Sequence, residues 1–404
     1  MPGIATSTVS SDLDLFADDV LADPFPAYAT LRALGPAVHL TRHGVWAITR
    51  HADVKAVLAD AETFTSHGGL ALNETAQRTF LSEAVLAADG ARHARLRRVL
   101  SAQLAPRAIA RLQNSVEERA DRLAQEVVAH GAFDAVNDLA MVLVSDVVLE
   151  LMGLSAESHP YLHTWSDATL TSFGPDNDRT RAGLPLTRAM RDHLSASVTR
   201  DNVAPNSWMA AIFTAVDRGE VSEAEGVALM IAYTVAGMDT TVHSIATTLH
   251  QLAAHPDQWQ AMRAAPDRLA PAAHAEALRY AAPVRSFGRR VTRDTRVGGT
   301  PIPAGAQIWV VYASAGRDSA QWGPDADSYN LHRPGVTEHL SLGHGVHRCA
   351  GNHLATLEAT ALLRALARHT PTLQRDPKAT PRRALNNILY GWATMPLTTS
   401  LVTM

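Results

Sequence analysis

Residues 340–358, LSLGHGVHRCAGNHLATLE, hold the chain's one cysteine, Cys349, inside a loop punctuated by Gly343, Gly345 and Gly351. Glycines on both sides remove side chains and let a backbone pass close beneath a flat group. Apolar residues then recur at helical spacing, so Cys349 stands just ahead of a helix. There the dipole and free amides stabilise a thiolate. A lone cysteine forms no intramolecular disulfide, which leaves a buried structural thiol, a nucleophile or a metal ligand.

Upstream, DRLAPAAHAEALRYAA (267–282) reads as a helix, followed by β-rich sequence from Val291 to Gly316. Before it, residues 222–255 read as one helix of about nine turns, the longest in the chain, ended by Pro256. Long helical patterns cover 113–154 and 186–200, and the Gly, Pro and Asn of 172–183 break helix between them. Residues 63–86 read as a loop, DPFPAYATLR as an N-terminal helix, and residues 1–20 as a flexible leader. No repeat or linker divides the chain, so the expectation is a single domain over 1–404, mostly α with small β-sheets.

Among its 404 residues, 36 basic against 40 acidic side chains give a net charge of −4, which provides no general field for nucleic acid or an anionic membrane. The positive charge is almost all arginine, with lysine at 55 and 378. The N-terminus has neither a basic start nor an apolar run, and a cytoplasmic, soluble protein is expected.

The run LGHGVHRCAG resembles the haem-binding loop of the cytochromes P450, with Leu342 where the family usually carries phenylalanine. The resemblance covers nearly the whole chain and implies the triangular P450 fold, with haem b between the long helix and the cysteine loop. Cys349 would be the axial iron ligand, its thiolate favouring O–O cleavage. Glu276 and Arg279 match the family's Glu-x-x-Arg pair, locked by a later arginine, Arg333. His93, Arg97, Arg289 and His347 fall where the family places partners for the haem propionates, with Arg290 an alternative to Arg289. VAGMDTT (235–241) resembles the oxygen-activating segment: Ala236 and Gly237 open space beside the cofactor, the Thr240 hydroxyl handles protons, and Asp239 relays them from solvent.

Helical spacing puts Tyr233 and Ser244 on the same face as Thr240, and family position adds Leu170, Phe173, Val284, Phe287 and Leu389, with Leu70 and Leu72, to a substrate lining. The resemblance narrows to bacterial enzymes that oxidise para-substituted benzoates and other small aromatics, including O-demethylation of methoxyarenes. A carboxylate anchor would have to come from Ser66, His67 or Arg285. O2 is the implied co-substrate, with electrons from NAD(P)H through a separate ferredoxin and ferredoxin reductase docking near Arg95, Arg98 and Arg348. Two other readings stand beside this one: a biosynthetic hydroxylase of a terpenoid or polyketide, and a non-enzymatic haem-thiolate sensor.

Overall fold

Proline opens the first long helix, α1 (Phe25–Leu34): Pro26 sits in its first turn, where a missing amide costs nothing, and Phe25, Tyr28 and Leu31 turn one stripe inward. The computed structural model describes residues 8–154 and 159–400. Helices α2 (Gly90–Gln103), α3 (Gln113–His130), α4 (His159–Thr171), α5 (Asp178–Ser197), α6 (Glu223–Gly237), α7 (Asp239–Ala254), α8 (Pro266–Tyr280) and α9 (Asn352–His369) form the bulk of the molecule. Helix α3 packs on α9, α4 on α5, and α8 on both α7 and α9. A buried core runs without interruption from Leu15 to Leu397. No helix among the described residues is long and apolar enough to cross a membrane.

Strands β1 (Ser10–Ser11), β2 (Val38–Leu40), β3 (Val45–Ile48), β4 (Phe64–Thr65), β5 (Ser286–Val291) and β6 (Gln307–Val311) form a 6-stranded sheet in the order β1-β2-β3-β6-β5-β4. In the antiparallel β5–β6 pair Arg289 lies opposite Ile308. Side chains alternate across a strand, so Arg289 turns inward and is buried while Arg290 turns outward to the carbonyls of Gly305 and Gly68. A C-terminal hairpin joins β7 (Arg382–Leu385) to β8 (Tyr390–Thr394).

Several boundaries differ from the sequence reading. Helix α5 already begins at Asp178, capped by the Asn177 side chain, inside the 172–183 stretch expected to break helix, and the expected 63–86 loop holds β4 and a short helix at Glu74–Thr79 capped by Asn73. The leader is built into the fold from residue 8: β1 pairs in parallel with β2, Leu15 and Phe16 are buried, and Arg179 of α5 donates to the Phe16 carbonyl. Residues 1–7 lie outside the described residues. The 113–154 helix stops at Gly131, whose φ of 75° ends α3, and resumes at Met141 after a short strand and a π-helical stretch. The helix expected over 222–255 breaks at Met238 (φ −89°, ψ −93°) into α6 and α7. At that break the Thr240 hydroxyl donates to the Ala236 carbonyl at 2.7 Å, and Asp239 turns into the protein. A side chain bonding back to the i−4 carbonyl bends a helix in this way. The start of α6 is well fixed, by a capping box in which Ser222 accepts from the Glu225 amide and the Glu225 carboxylate accepts from the Ser222 amide.

Candidate active site

The cysteine loop is a tight, backbone-bonded structure. Gly343 and Gly345 hold φ of 71° and 68°, and a Cβ on Gly345 would stand 2.6 Å from the Leu58 carbonyl oxygen. Only glycine meets both demands there. The Cys349 amide donates to the Leu342 carbonyl at 2.8 Å, so the position that departs from the family pattern contributes its backbone whatever its side chain. Burial pushes the thiol pKa up, opposed by the amides of Gly351 and Asn352 and by the charges of Arg97 and Arg348. Cys349 thus lies deep in the molecule, yet its side chain carries accessible surface: it lines an internal cleft.

One edge of that cleft gathers donors from four separate segments. His93 of α2 is buried, its Nε2 has no hydrogen-bond partner, and its ring stands 4.3 Å from that of His347. His347 Nε2 lies 3.0 Å from Asp89 Oδ1 and 3.3 Å from Ser66 Oγ. Arg97 donates to the Arg348 carbonyl at 2.5 Å, and the buried Arg289 donates to the Gly288 carbonyl at 2.7 Å. Burial, with the positive charges of His347 and Arg97, lowers the His93 pKa to about 4. Orphaned buried donors are costly unless a partner fills them. A thiol under the cleft, with the unpartnered His93 imidazole and the Arg97 and Arg289 guanidinium groups, which have donors to spare, at its rim, fits a flat group that carries a thiolate-bound metal and two carboxylates. The residues present fit haem b.

On the helix side, accessible surface runs along Ala232, Ala236, Gly237 and Thr240, with Ile231 also partly exposed, while Tyr233, Thr234, Val235, Met238, Asp239 and Thr241 are buried. Tyr233 and Ser244 are off this stripe. The Tyr233 hydroxyl donates to the Leu100 carbonyl at 2.7 Å and its ring packs on Trp208, 4.5 Å between centroids; Ser244 Oγ meets His274 of α8 at 3.1 Å. Each is three or four residues from a stripe residue on its own helix, so spacing alone puts it close to the stripe, and it is the packing against Leu100, Trp208 and His274 that takes these side chains away from the cleft. Asp239 does not face the cleft either: it is fully buried and bonded to His163 of α4.

The apolar lining converges from distant segments. The Leu72 amide donates to the Phe173 carbonyl at 2.9 Å, Phe173 lies 6.5 Å from Phe287, and Phe287 6.3 Å from Tyr312. Val284 and Leu389 form a β-bridge, flanked by the amides of Arg285 and Tyr390 on the carbonyls of Ile388 and Pro283. Leu70 and Leu170 are buried in the same core. Asn386 and Asn387, with no sequence signal, hold the hairpin tip: Asn387 bonds Thr171, Asn177 and Thr180, and a Cβ on Gly174 would stand 2.5 Å from the Asn387 Cβ. Of the three suggested carboxylate anchors, Ser66 sits against His347, His67 is exposed, and Arg285 is fully buried, with Nη2 on the Asn386 carbonyl and Nε without a partner.

Behind the cysteine loop, Glu276 accepts from Arg279 Nε and Nη2 at 2.7 and 2.8 Å, from Arg333 Nε at 3.0 Å, and from the Asn330 amide at 2.9 Å. Arg279 spends its other donors on the carbonyls of Gly316, Ala326 and Ser328. Of the arginines expected to form a docking patch, Arg95 is already paired bidentately with Glu225 at 2.7 and 2.8 Å, which with a third contact from Arg92 holds the Glu225 pKa down at about 2. Arg98 and Arg348 remain exposed.

Comparison with known proteins agrees with this architecture. The family model "Cytochrome P450" matches residues 186–385. The chain is 35% identical over 388 residues to cytochrome P450 CYP199A2 of Rhodopseudomonas palustris, covering 95% of this chain and 93% of that one. Among solved structures it resembles cytochrome P450 CREJ in complex with (4-ethylphenyl) dihydrogen phosphate, at TM-score 0.84 and 26% identity over 94% of this chain and 98% of that one. It also resembles a mutant of P450 EryK in complex with erythromycin B, at TM-score 0.82 and 29% identity over 94% and 97%. The chain belongs to the cytochrome P450 family of haem-thiolate monooxygenases.

Proposed function

We propose that this monooxygenase acts on a small, hydrophobic aromatic substrate, hydroxylating it or removing a methyl group from a methoxyarene. The observation that carries this is the lining of Phe173, Phe287 and Tyr312 with Val284 and Leu389, which is predominantly aromatic and apolar, with the neighbouring Arg285 tied through Nη2 to the Asn386 carbonyl. The para-substituted aryl ligand of the CREJ complex supports it. Erythromycin B in the EryK complex favours a second reading, hydroxylation of a larger biosynthetic product.

Haem, when bound at Cys349, supplies the insertion of one oxygen atom of O2 into a C–H bond, the other leaving as water; at a methoxy carbon the resulting hemiacetal breaks to a phenol and formaldehyde. His93, Arg97, Arg289 and His347 would hold its carboxylates, and Phe173, Phe287, Val284 and Leu389 would orient the substrate and exclude water. The Thr240 hydroxyl, on the cleft face, holds a proton near the reacting atoms. Thr240→Ala should therefore lower product formed per NAD(P)H by about tenfold while leaving substrate affinity unchanged, measured as product against cofactor consumed.

Titrating the ferric protein with methoxybenzoates and neutral alkyl methoxyphenols, and following water displacement from iron by absorption, tests the substrate reading. Neutral arenes should produce the shift and benzoates should not. A shift with neither moves the reading to larger biosynthetic substrates.

Two electrons per turnover would come from NAD(P)H through ferredoxin reductase and ferredoxin, the latter meeting Arg98 and Arg348. Replacing both with glutamine should slow reduction about tenfold and flatten its salt dependence, with the substrate-binding titration unchanged. Unchanged reduction kinetics would remove this docking site.

A further inference from the structure

Asp239 precedes Thr240 at the helix break, but its side chain has no exposed surface. Its Oδ1 is bonded to Nδ1 of His163 on α4, and the His163 side chain is 39% exposed. Asp239 Oδ2 is buried with no hydrogen-bond partner. The carboxylate touches no solvent, while the imidazole bonded to it does.

We infer that His163 is the port through which solvent protons reach Asp239, an inference that rests on the proposed role of Asp239 and Thr240 in handling protons. The imidazolium gives its Nδ1 proton to Asp239 Oδ1, breaking an N–H bond and forming an O–H bond. The neutral ring keeps its Nε2 proton, swings its bare Nδ1 out to solvent, takes a proton there from hydronium and returns to Asp239. The carboxyl, with one oxygen unbonded to protein, turns to release its proton toward the cleft. One proton enters from water for each proton delivered, and the pair returns to its starting charge.

The surroundings suit this traffic. Burial alone would lower the His163 pKa, but the bond and charge of Asp239, with the charge of Asp167 one turn along α4, outweigh it and the pKa is raised. Asp167, pushed up by burial and by Asp239, accepts from Asn386 Nδ2 at 2.8 Å. From α7, His243 is fully buried with both ring nitrogens unpartnered, and burial lowers its pKa to about 4 although Asp239 opposes this; His163 and Arg383 of β7 act on it as positive charges. Helices α5 and α6 also pack on α4, but the charges acting on His163 are those of Asp239 and Asp167. A histidine with a raised pKa keeps its proton through the usual histidine range and loses it as pH rises further, so proton supply should fail on the alkaline side.

The test compares wild type, His163→Gln, His163→Lys and Asp239→Asn as holoenzymes with their redox partners. In His163→Gln, kcat should fall about tenfold with KM and the substrate-induced spectral shift unchanged, its alkaline limb should vanish, and the solvent isotope effect in D2O should rise. His163→Lys keeps a cation against Asp239, and so serves if the glutamine variant folds poorly; it should also be slow, because lysine holds its proton throughout this range. Separately from turnover, NMR of histidine-labelled protein should show one imidazole with a raised midpoint that is absent in His163→Gln and lowered in Asp239→Asn. If Asp239→Asn is slow but both His163 variants turn over at the wild-type rate with the alkaline limb intact, the port is wrong. If Asp239→Asn turns over like wild type, the underlying reading of Asp239 falls instead.

Discussion

Cys349→Ser should fold and yet lose monooxygenase turnover to below about 1% of wild type, since partners one shell further out already cost up to about 100-fold when removed from a metal site. The loop's shape survives because its hydrogen bonds are made by the backbone: the residue 349 amide on the Leu342 carbonyl, the Arg348 amide on that of Gly345, and the Gly343 amide on that of Leu340. What disappears is the sulfur, the one anionic soft ligand this chain can offer, since it has no other cysteine. A serine hydroxyl does not ionise near neutral pH and gives iron no comparable push. The absorption of the reduced, carbon-monoxide-bound protein should lose its thiolate signature together with product formation. A thiolate spectrum persisting in the serine variant would contradict the assignment.

The second large effect is structural. Glu276→Gln removes the one carboxylate facing two guanidinium groups, with the Arg279 and Arg333 side chains 0% and 4% exposed. Breaking a buried ion pair from one side costs about 3–5 kcal/mol, because the stranded charge has no water to turn to. A domain stable by about 5–15 kcal/mol then loses a large fraction of its margin. The expected outcome is a lowered unfolding midpoint in urea and a poor yield of haem-loaded protein. Arg333→Ala should be milder: Arg279 keeps Glu276, and Asp325, which also pairs with Arg333, is half exposed and can be solvated. Equal stability of Glu276→Gln and wild type would mean that the pair does not hold the fold together.

Those arrangements that depend on near neighbours were legible in the sequence. The glycines around Cys349, the three-residue spacing of Glu276 and Arg279, and the small residues before Thr240 act through neighbours a few positions away, and sequence displays such neighbours directly. Arg289 against Arg290 needed only the strand's alternation once the β5–β6 register was known. Other residues carried no such signal. Asp89 is an ordinary residue ahead of a helix until His347, 258 positions later, is laid against it. His163, Asn386 and Asn387 acquire their roles from contacts across the fold. Tyr233 and Ser244 stand at the right spacing on their own helices, and only the contacts with Leu100, Trp208 and His274 draw their side chains elsewhere. Arg95, read as free positive charge, is neutralised by Glu225, 130 residues away.

By itself, then, the sequence determined the local patterns: a glycine-rich cysteine loop of fixed backbone shape, a Glu-x-x-Arg lock, and a small-residue and threonine segment at a helix break. These are short-range patterns, in which residue type and spacing set the geometry. Only the tertiary structure decided which distant side chains meet, because pairings such as His163 with Asp239 join helices whose separation in sequence says nothing about the face each presents. The bond between His163 and Asp239, the packing of Phe173 on Phe287 and the pairing of Arg95 with Glu225 all belong to that second level, where packing chooses among faces that sequence leaves equivalent.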